Sequence, residues 1–406
     1  MTAPFSLSNT QARQLFMERQ GLSAPPRTKL TTAGLLDIIH DLGFVQVDSI
    51  NTVARAHHMI LFARNQTYQP KHLTHLLEKD RTLFEHWTHD AAVIPTAFYP
   101  YWQHRFLRDE TRLLKQWRIW RREGFEHALA SILDKVSRDG PLMTRDISTK
   151  RAKGSAGWWD WQPEKTALEF HWRTGKLAIA GRDGFQKIYD LAENVIPAPH
   201  CNDRVHEPDF IDWACRSALT RLGVATSGEI AAFWALITPK EAAAWVQTNR
   251  SVGALMDVVV ENHGDRKPTK AVAFSDMPDT LETVATPPDR VRILSPFDPL
   301  IRDRKRCERL FGFDYRIEVF VPKEKRQYGY YVFPLLEGSR FIGRIDVQRQ
   351  GDALVVENLW LELGIKMGKD RKKALDAELE RYRRFTGTHA VTFARSGLPM
   401  GRKSPS

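Results

Sequence analysis

The sequence predicts an α+β protein in which three helix–helix–β units follow one another and a β-domain closes the chain. Apolar residues at helical spacing and short β-rich segments recur in that order before residue 287, and strand patterns take over after Pro287-Pro288. At roughly 100 to 200 residues per domain, 406 residues need more than one core. The expected segments are 1–124, 125–200, 201–286 and 287–406.

In the first segment helical spacing covers Leu7 to Gln20 and Thr31 to Leu42, where Leu35, Ile38, Ile39 and Leu42 share a face. Gly43 ends that helix, and Phe44-Val45-Gln46-Val47-Asp48-Ser49-Ile50 alternates like a strand. The second segment offers a helix near Phe125 to Arg138, a turn at Asp139-Gly140-Pro141 and a helix opened by Pro163. Lys176 to Ala180 and Phe185 to Tyr189 then flank Gly181-Arg182-Asp183-Gly184, a hairpin with Arg182 near its tip. The third segment has helices at Phe210 to Leu222, from Thr226 and at Pro239 to Asn249, with Thr226 and Glu229 at capping-box spacing. Ala254 to Glu261 and Lys270 to Phe274 form its hairpin. Two helices and a wing, three times over, predict tandem winged helix-turn-helix units. In the last segment strands are expected at Tyr315 to Val321, Tyr328 to Leu335, Arg340 to Gln348 and Ala353 to Leu363, as an antiparallel sheet or small barrel. A charged helix at Asp370 to Phe385 closes it, and the tail after Gly387 is expected to be loose.

Composition narrows the function. The chain is 42% hydrophobic and 27% charged, the balance of a globular protein. No apolar run approaches the ~20 residues that span a bilayer, and Met1 to Thr10 does not read as a secretory signal, so a cytoplasmic protein is expected. The three cysteines, Cys201, Cys215 and Cys307, supply no disulfide framework, and with His200 and His206 they lack zinc-ligand spacing. No metal and no cofactor is expected: phosphate-binding, dinucleotide, H-E-x-x-H and nucleophile-elbow motifs are missing. His57, His58 and His89 read as structural. A net charge of +11 favours an anionic partner, without distinguishing DNA from RNA or a membrane surface.

Two sets of residues could carry function. In a strand, Gln46 and Asp48 lie on one face about 6.6 Å apart, an amide beside a carboxylate, yet Q-x-D is short and reads first as a solvated strand face. From Gln103 to Phe125, Arg105, Arg108, Arg112, Lys115, Arg118 and Arg122 recur every three or four residues, read as a stripe of cations without interleaved acids. It fits a phosphate track and, equally, a solvated helix face. Arg304, Lys305 and Arg306, with Arg302 and Arg309, form a further basic cluster tempered by acids. Trp158, Trp159 and Trp161 read as packing residues before wedges.

Several motifs together resemble the winged-helix DNA glycosylases typified by AlkZ and YcaQ, and the YcaQ branch most. They are Leu42 to Val53, His86-Trp87-Thr88-His89-Asp90-Ala91, Ser295-Pro296-Phe297-Asp298-Pro299-Leu300, Arg309 to Tyr315, Val321 to Arg326 and Gly329-Tyr330-Tyr331-Val332. The resemblance implies three tandem winged helices and a β-barrel forming a C-shaped clamp on double-stranded DNA, working as a monomer. It matches Gln46 and Asp48 to the family's catalytic pair. AlkZ-type members carry Gln at both positions, so Asp48 points to a broader range of N7-alkylated purines and interstrand crosslinks. The rival expectations are a transcription regulator, which uses the same fold without chemistry, and an RNA-binding module.

Overall fold

The computed structural model describes residues 3–120, 125–147, 163–394 and 400–401. Arg122 and Trp158, Trp159 and Trp161 lie outside the described residues, as does the side chain of Arg118. The chain groups into two compact units, one made of Met1–Pro70 with Cys215–Ser406 and the other of Lys71–Ala214.

In the first unit, helix Asn9–Arg19 opens on a capping box in which Ser8 accepts from the Gln11 amide. The expected helix from Leu7 is a correction: Phe5–Leu7 is a strand, running parallel to Leu255–Val260 with Phe5 opposite Val258. Helix Thr32–Leu42 is capped by Thr31 and buries Leu35, Ile39 and Leu42. The strand after it covers only Val45–Gln46. Helix Glu207–Leu222 runs across the division at Ala214/Cys215, and helices Ser227–Trp234 and Pro239–Ser251 then precede the antiparallel pair Leu255–Val260 and Thr269–Phe274. The capping boxes Thr226/Glu229 and Thr238/Glu241 start helices Ser227–Trp234 and Pro239–Ser251 respectively.

The C-terminal sheet runs in the order Val291–Ile293, Phe333–Glu337, Arg340–Gln350, Ala353–Leu361, Ala390–Phe393, with Met400–Gly401 beside Ala353–Leu361. Register shifts at Leu335/Leu336 and Asp346/Val347 curl it into a half-barrel. Three expectations are corrected here. Tyr315 to Val321 is not a strand, because Phe313 stacks on Phe341 at 4.3 Å and the Tyr315 hydroxyl donates to the Val332 carbonyl, which folds that stretch over the sheet. Val291–Ile293 takes the edge instead. Past Gly387, Ala390–Phe393 pairs parallel to Ala353–Leu361, so the sheet is mixed, with helix Lys369–Thr386 as the crossover that parallel pairing requires.

The second unit contains the hairpin Leu83–Trp87 and Ala91–Pro95, the 22-residue helix Tyr99–Trp120, helices Glu126–Asp139 and Pro163–Arg173, and the hairpin Leu177–Asp183 and Gln186–Leu191. Leu142–Met143 adds a third strand to that last hairpin. Ile132, Val136, Leu168, Trp172, Ile179 and Tyr189 form its core. The indole of Trp172 donates to the Glu85 carbonyl at 3.1 Å, and His86 bonds back to the Trp172 carbonyl at 2.9 Å. Burial and the charge of Arg105 lower His86 to about 3, keeping it neutral.

Candidate functional site

The segment that carries Gln46 and Asp48 is placed by the end of helix Thr32–Leu42. Gly43 has φ 86°, and a Cβ there would sit 2.6 Å from the Trp234 ring and 2.7 Å from Arg221 Nε, so only glycine fits. Arg221 donates to the His40 and Ser217 carbonyls, and the Trp234 indole donates to Ser217 Oγ at 2.8 Å. Phe44 then inserts beside Phe233 and Trp234, with centroids 5.7 Å away in each case. The Arg302 guanidinium lies 5.0 Å from the Phe44 centroid and 5.1 Å from that of Phe233.

The expected division into a core face and a wet face does not hold. Phe44, Val45, Gln46 and Val47 are all buried, with Gln46 5% exposed, and access to solvent begins at Asp48. Packing covers both faces of so short a strand, so alternation cannot be read as inside and outside. Asp48 Oδ1 accepts from the Ile50 amide at 2.8 Å, an Asx turn that fixes the carboxylate. The loop beyond it is held by the Arg349 amide, which donates to the Thr52 carbonyl at 2.7 Å.

One of the recognised motifs, Gly329-Tyr330-Tyr331-Val332, bears on this segment through charge. Tyr331, 2% exposed, is raised above the ordinary phenol range by burial and next by the negative charge of Asp48, so it stays a neutral phenol. Its ring lies 6.2 Å from Phe297, whose amide donates to Ser295 Oγ. Asp298 caps Leu300 and forms a buried two-pronged ion pair with Arg64, Nη2 to Oδ1 being 3.0 Å. Tyr331 is visible in the sequence only as part of Gly329-Tyr330-Tyr331-Val332; its nearness to Asp48 is not. His58 bonds to the Tyr68 hydroxyl at 2.8 Å and is lowered to about 4 by burial and the charge of Arg55.

The cations expected to bind DNA fall into two groups. Arg105 is 7% exposed and lies 3.3 Å from Asp109, which also takes Arg112 at 2.6 Å and Arg173 at 3.4 Å. The stripe is therefore interleaved with an acid, a correction to the expectation for that helix. Arg182 folds back from its hairpin onto Glu85 at 2.6 Å and over the Phe185 ring. Arg306, 1% exposed, donates to the Leu222 and Val224 carbonyls and to Glu229. Together with Arg309 it lowers Glu229 to about 2 despite burial. Arg112, Lys115, Arg304 and Lys305 are exposed, and Arg108 is part-exposed, 2.9 Å from Glu207. Among the described residues no group of His, Cys, Asp and Glu is arranged to hold a metal, and no helix is long and apolar enough to cross a membrane.

The α+β scaffold with its curled sheet belongs to a known class of fold. The structure is similar to Streptomyces sahachiroi DNA glycosylase AlkZ, with a TM-score of 0.65 and 15% identity over 96% of this chain and 99% of that one. That likeness is one of fold. The sequence model of the AlkZ-like DNA glycosylases matches residues 39–385, and the chain belongs to the AlkZ-like DNA glycosylase family. The match is to the family as a whole, without separating the YcaQ branch.

Proposed function

We propose that this protein is a monofunctional glycosylase, built on three tandem winged-helix units, that releases N7-alkylated purines and unhooks interstrand crosslinks in bacterial DNA. Asp48 carries the reading: it is the point where a buried, rigidly anchored segment first meets solvent, and it presents a carboxylate held by its own Asx turn. Alkylation at N7 makes the purine cationic, so it departs neutral without a general acid. The sugar left behind has oxocarbenium character. A carboxylate beside it stabilises the positive charge and takes a proton from the attacking water. Gln46, nearly closed to bulk solvent, holds that water in line. Because water is the nucleophile, the products are a free base and an abasic site.

An uncharged purine leaves far more slowly from such a site, so selectivity follows from the leaving group. A crosslinked base cannot swing out freely, and recognition from the groove side, without full extrusion, is the consistent mode. Arg108, Arg112, Lys115, Arg304 and Lys305 supply phosphate contacts, and the protein works as a monomer on cytoplasmic, nucleoid DNA.

Incubation with duplex containing N7-methylguanine, followed by analysis of released bases, tests this directly. Asp48→Asn is expected to slow single-turnover release by roughly 100-fold or more, the range of general-base catalysis, with duplex affinity near that of the parent. Equal rates in mutant and parent would remove Asp48 from the chemistry. A regulator would instead bind one sequence tightly and leave the alkylated strand intact.

A further inference from the structure

The stretch between Tyr315 and Tyr331 is a closed loop with an apolar tip. Glu318 accepts from the backbone amides of Gln327, Tyr328 and Gly329 at 2.7, 2.8 and 2.9 Å, which draws the two ends of the loop together. Within it, the Val321 amide donates to the Glu318 carbonyl, and Arg326 Nε donates to the Val321 carbonyl at 2.8 Å. The Arg326 guanidinium also lies over the Tyr330 ring at 5.1 Å. This internal bonding holds Phe320 out in water, 95% exposed. Tyr330, 46% exposed, stands at the other end of the same loop.

The residues that flank Phe320 along the loop are mostly cationic. Arg316, Lys323 and Lys325 are exposed, Glu324 is the exposed acid among them, and the carboxylate of Glu318 is occupied by the backbone. The loop runs directly into Tyr331, on which the charge of Asp48 acts. An apolar ring flanked by cations matches a duplex, whose stacked bases lie between two rows of phosphates.

We propose that Phe320 is a wedge: it enters the base stack at the lesion while Arg316, Lys323 and Lys325 hold the adjoining phosphates, opening the step so that the sugar reaches Asp48. This rests on the glycosylase reading above and names the element that exposes its substrate. A wedge of this kind suits a base that cannot be flipped, since parting a step does not require the base to leave its strand.

The test uses a duplex with N7-methylguanine and a 2-aminopurine in the neighbouring step, bound to Asp48→Asn protein so that no base is lost. Binding is expected to brighten the 2-aminopurine, and Asp48→Asn/Phe320→Ala is expected to bind with little brightening. In the active background Phe320→Ala should slow base release roughly tenfold, the scale of one base–aromatic stacking contact, and Phe320→Trp should restore it. Lys323→Ala/Lys325→Ala should lower the salt slope of binding by about 2. Equal brightening and equal release with and without Phe320 would overturn the wedge, and would leave this ring as a contact for something other than DNA. If the parent releases no base, the glycosylase reading falls by itself, whereas the fluorescence still reports insertion. Phe320 is exposed, so its removal leaves the folded core intact.

Discussion

At Asp48 a carboxylate stands where burial ends, and its Asx turn and the anchored Phe44 leave it little freedom. A different balance operates at Asp346, on the strand Arg340–Gln350. Burial, and next the charge of Glu357, raise its carboxyl to about 6. The folded carboxyl then holds its proton more tightly than the unfolded one, whose ordinary value is near 4. Its contribution to stability is full below that value and is lost as pH rises through about 6. Asp346→Asn should therefore leave the melting temperature unchanged at pH 4 and raise it at pH 8. A pH series of thermal melts that shows the same shift at both values would contradict this.

Helix Tyr99–Trp120 shows how an element divides its charges. Leu113 and Trp117 anchor it by packing with Phe125 and Phe170, and that choice of face turns Arg105 inward onto Asp109. Burial opposes ionisation of Asp109, but Arg105, Arg112 and Arg173 outweigh it and lower the carboxyl below its ordinary value. What remains for a phosphate track is the outer edge. Replacing Arg108, Arg112 and Lys115 together by Ala should weaken binding to every duplex and lower the salt slope by about 3, one counterion per lost contact. A slope equal to that of the parent would show that this helix does not reach the phosphates.

For the whole chain, a long-range feature is the strand Phe5–Leu7, which joins the sheet of Leu255–Val260 and places the fully buried Leu7 in its core. Asn9 adds to this closure by donating to the Glu261 and Leu310 carbonyls. Deleting residues 1–8 removes one buried leucine, worth about 1.5–3 kcal/mol, and the Ser8 cap, worth about 1. The melting temperature should fall by at least about 5 °C. An unchanged melt would mean that the strand adds nothing to the unit it completes.

Part of this molecule is legible in its amino-acid sequence alone. The Thr226/Glu229 capping box, the stop at Gly43 and the existence of the hairpin Leu177–Asp183 with Gln186–Leu191 depend on residues within a few positions of each other, where backbone sterics and local hydrogen bonds act; its turn falls at Gly184-Phe185, so Gly181, Arg182 and Asp183 lie in the first strand and not in the expected turn. The family motifs around Gln46 and Asp48 likewise consist of adjacent residues. Tertiary packing decided the rest: that Gln46 is enclosed, that Arg105, Arg182 and Arg306 spend their charge inside the fold, that Tyr315 to Val321 leaves the sheet, and that Tyr331 comes to Asp48. Each of these depends on a partner that the chain supplies from elsewhere, as Glu85 does for Arg182 and Glu229 for Arg306. Charge and burial are settled between surfaces, and no periodicity along the backbone encodes which surface a side chain will meet.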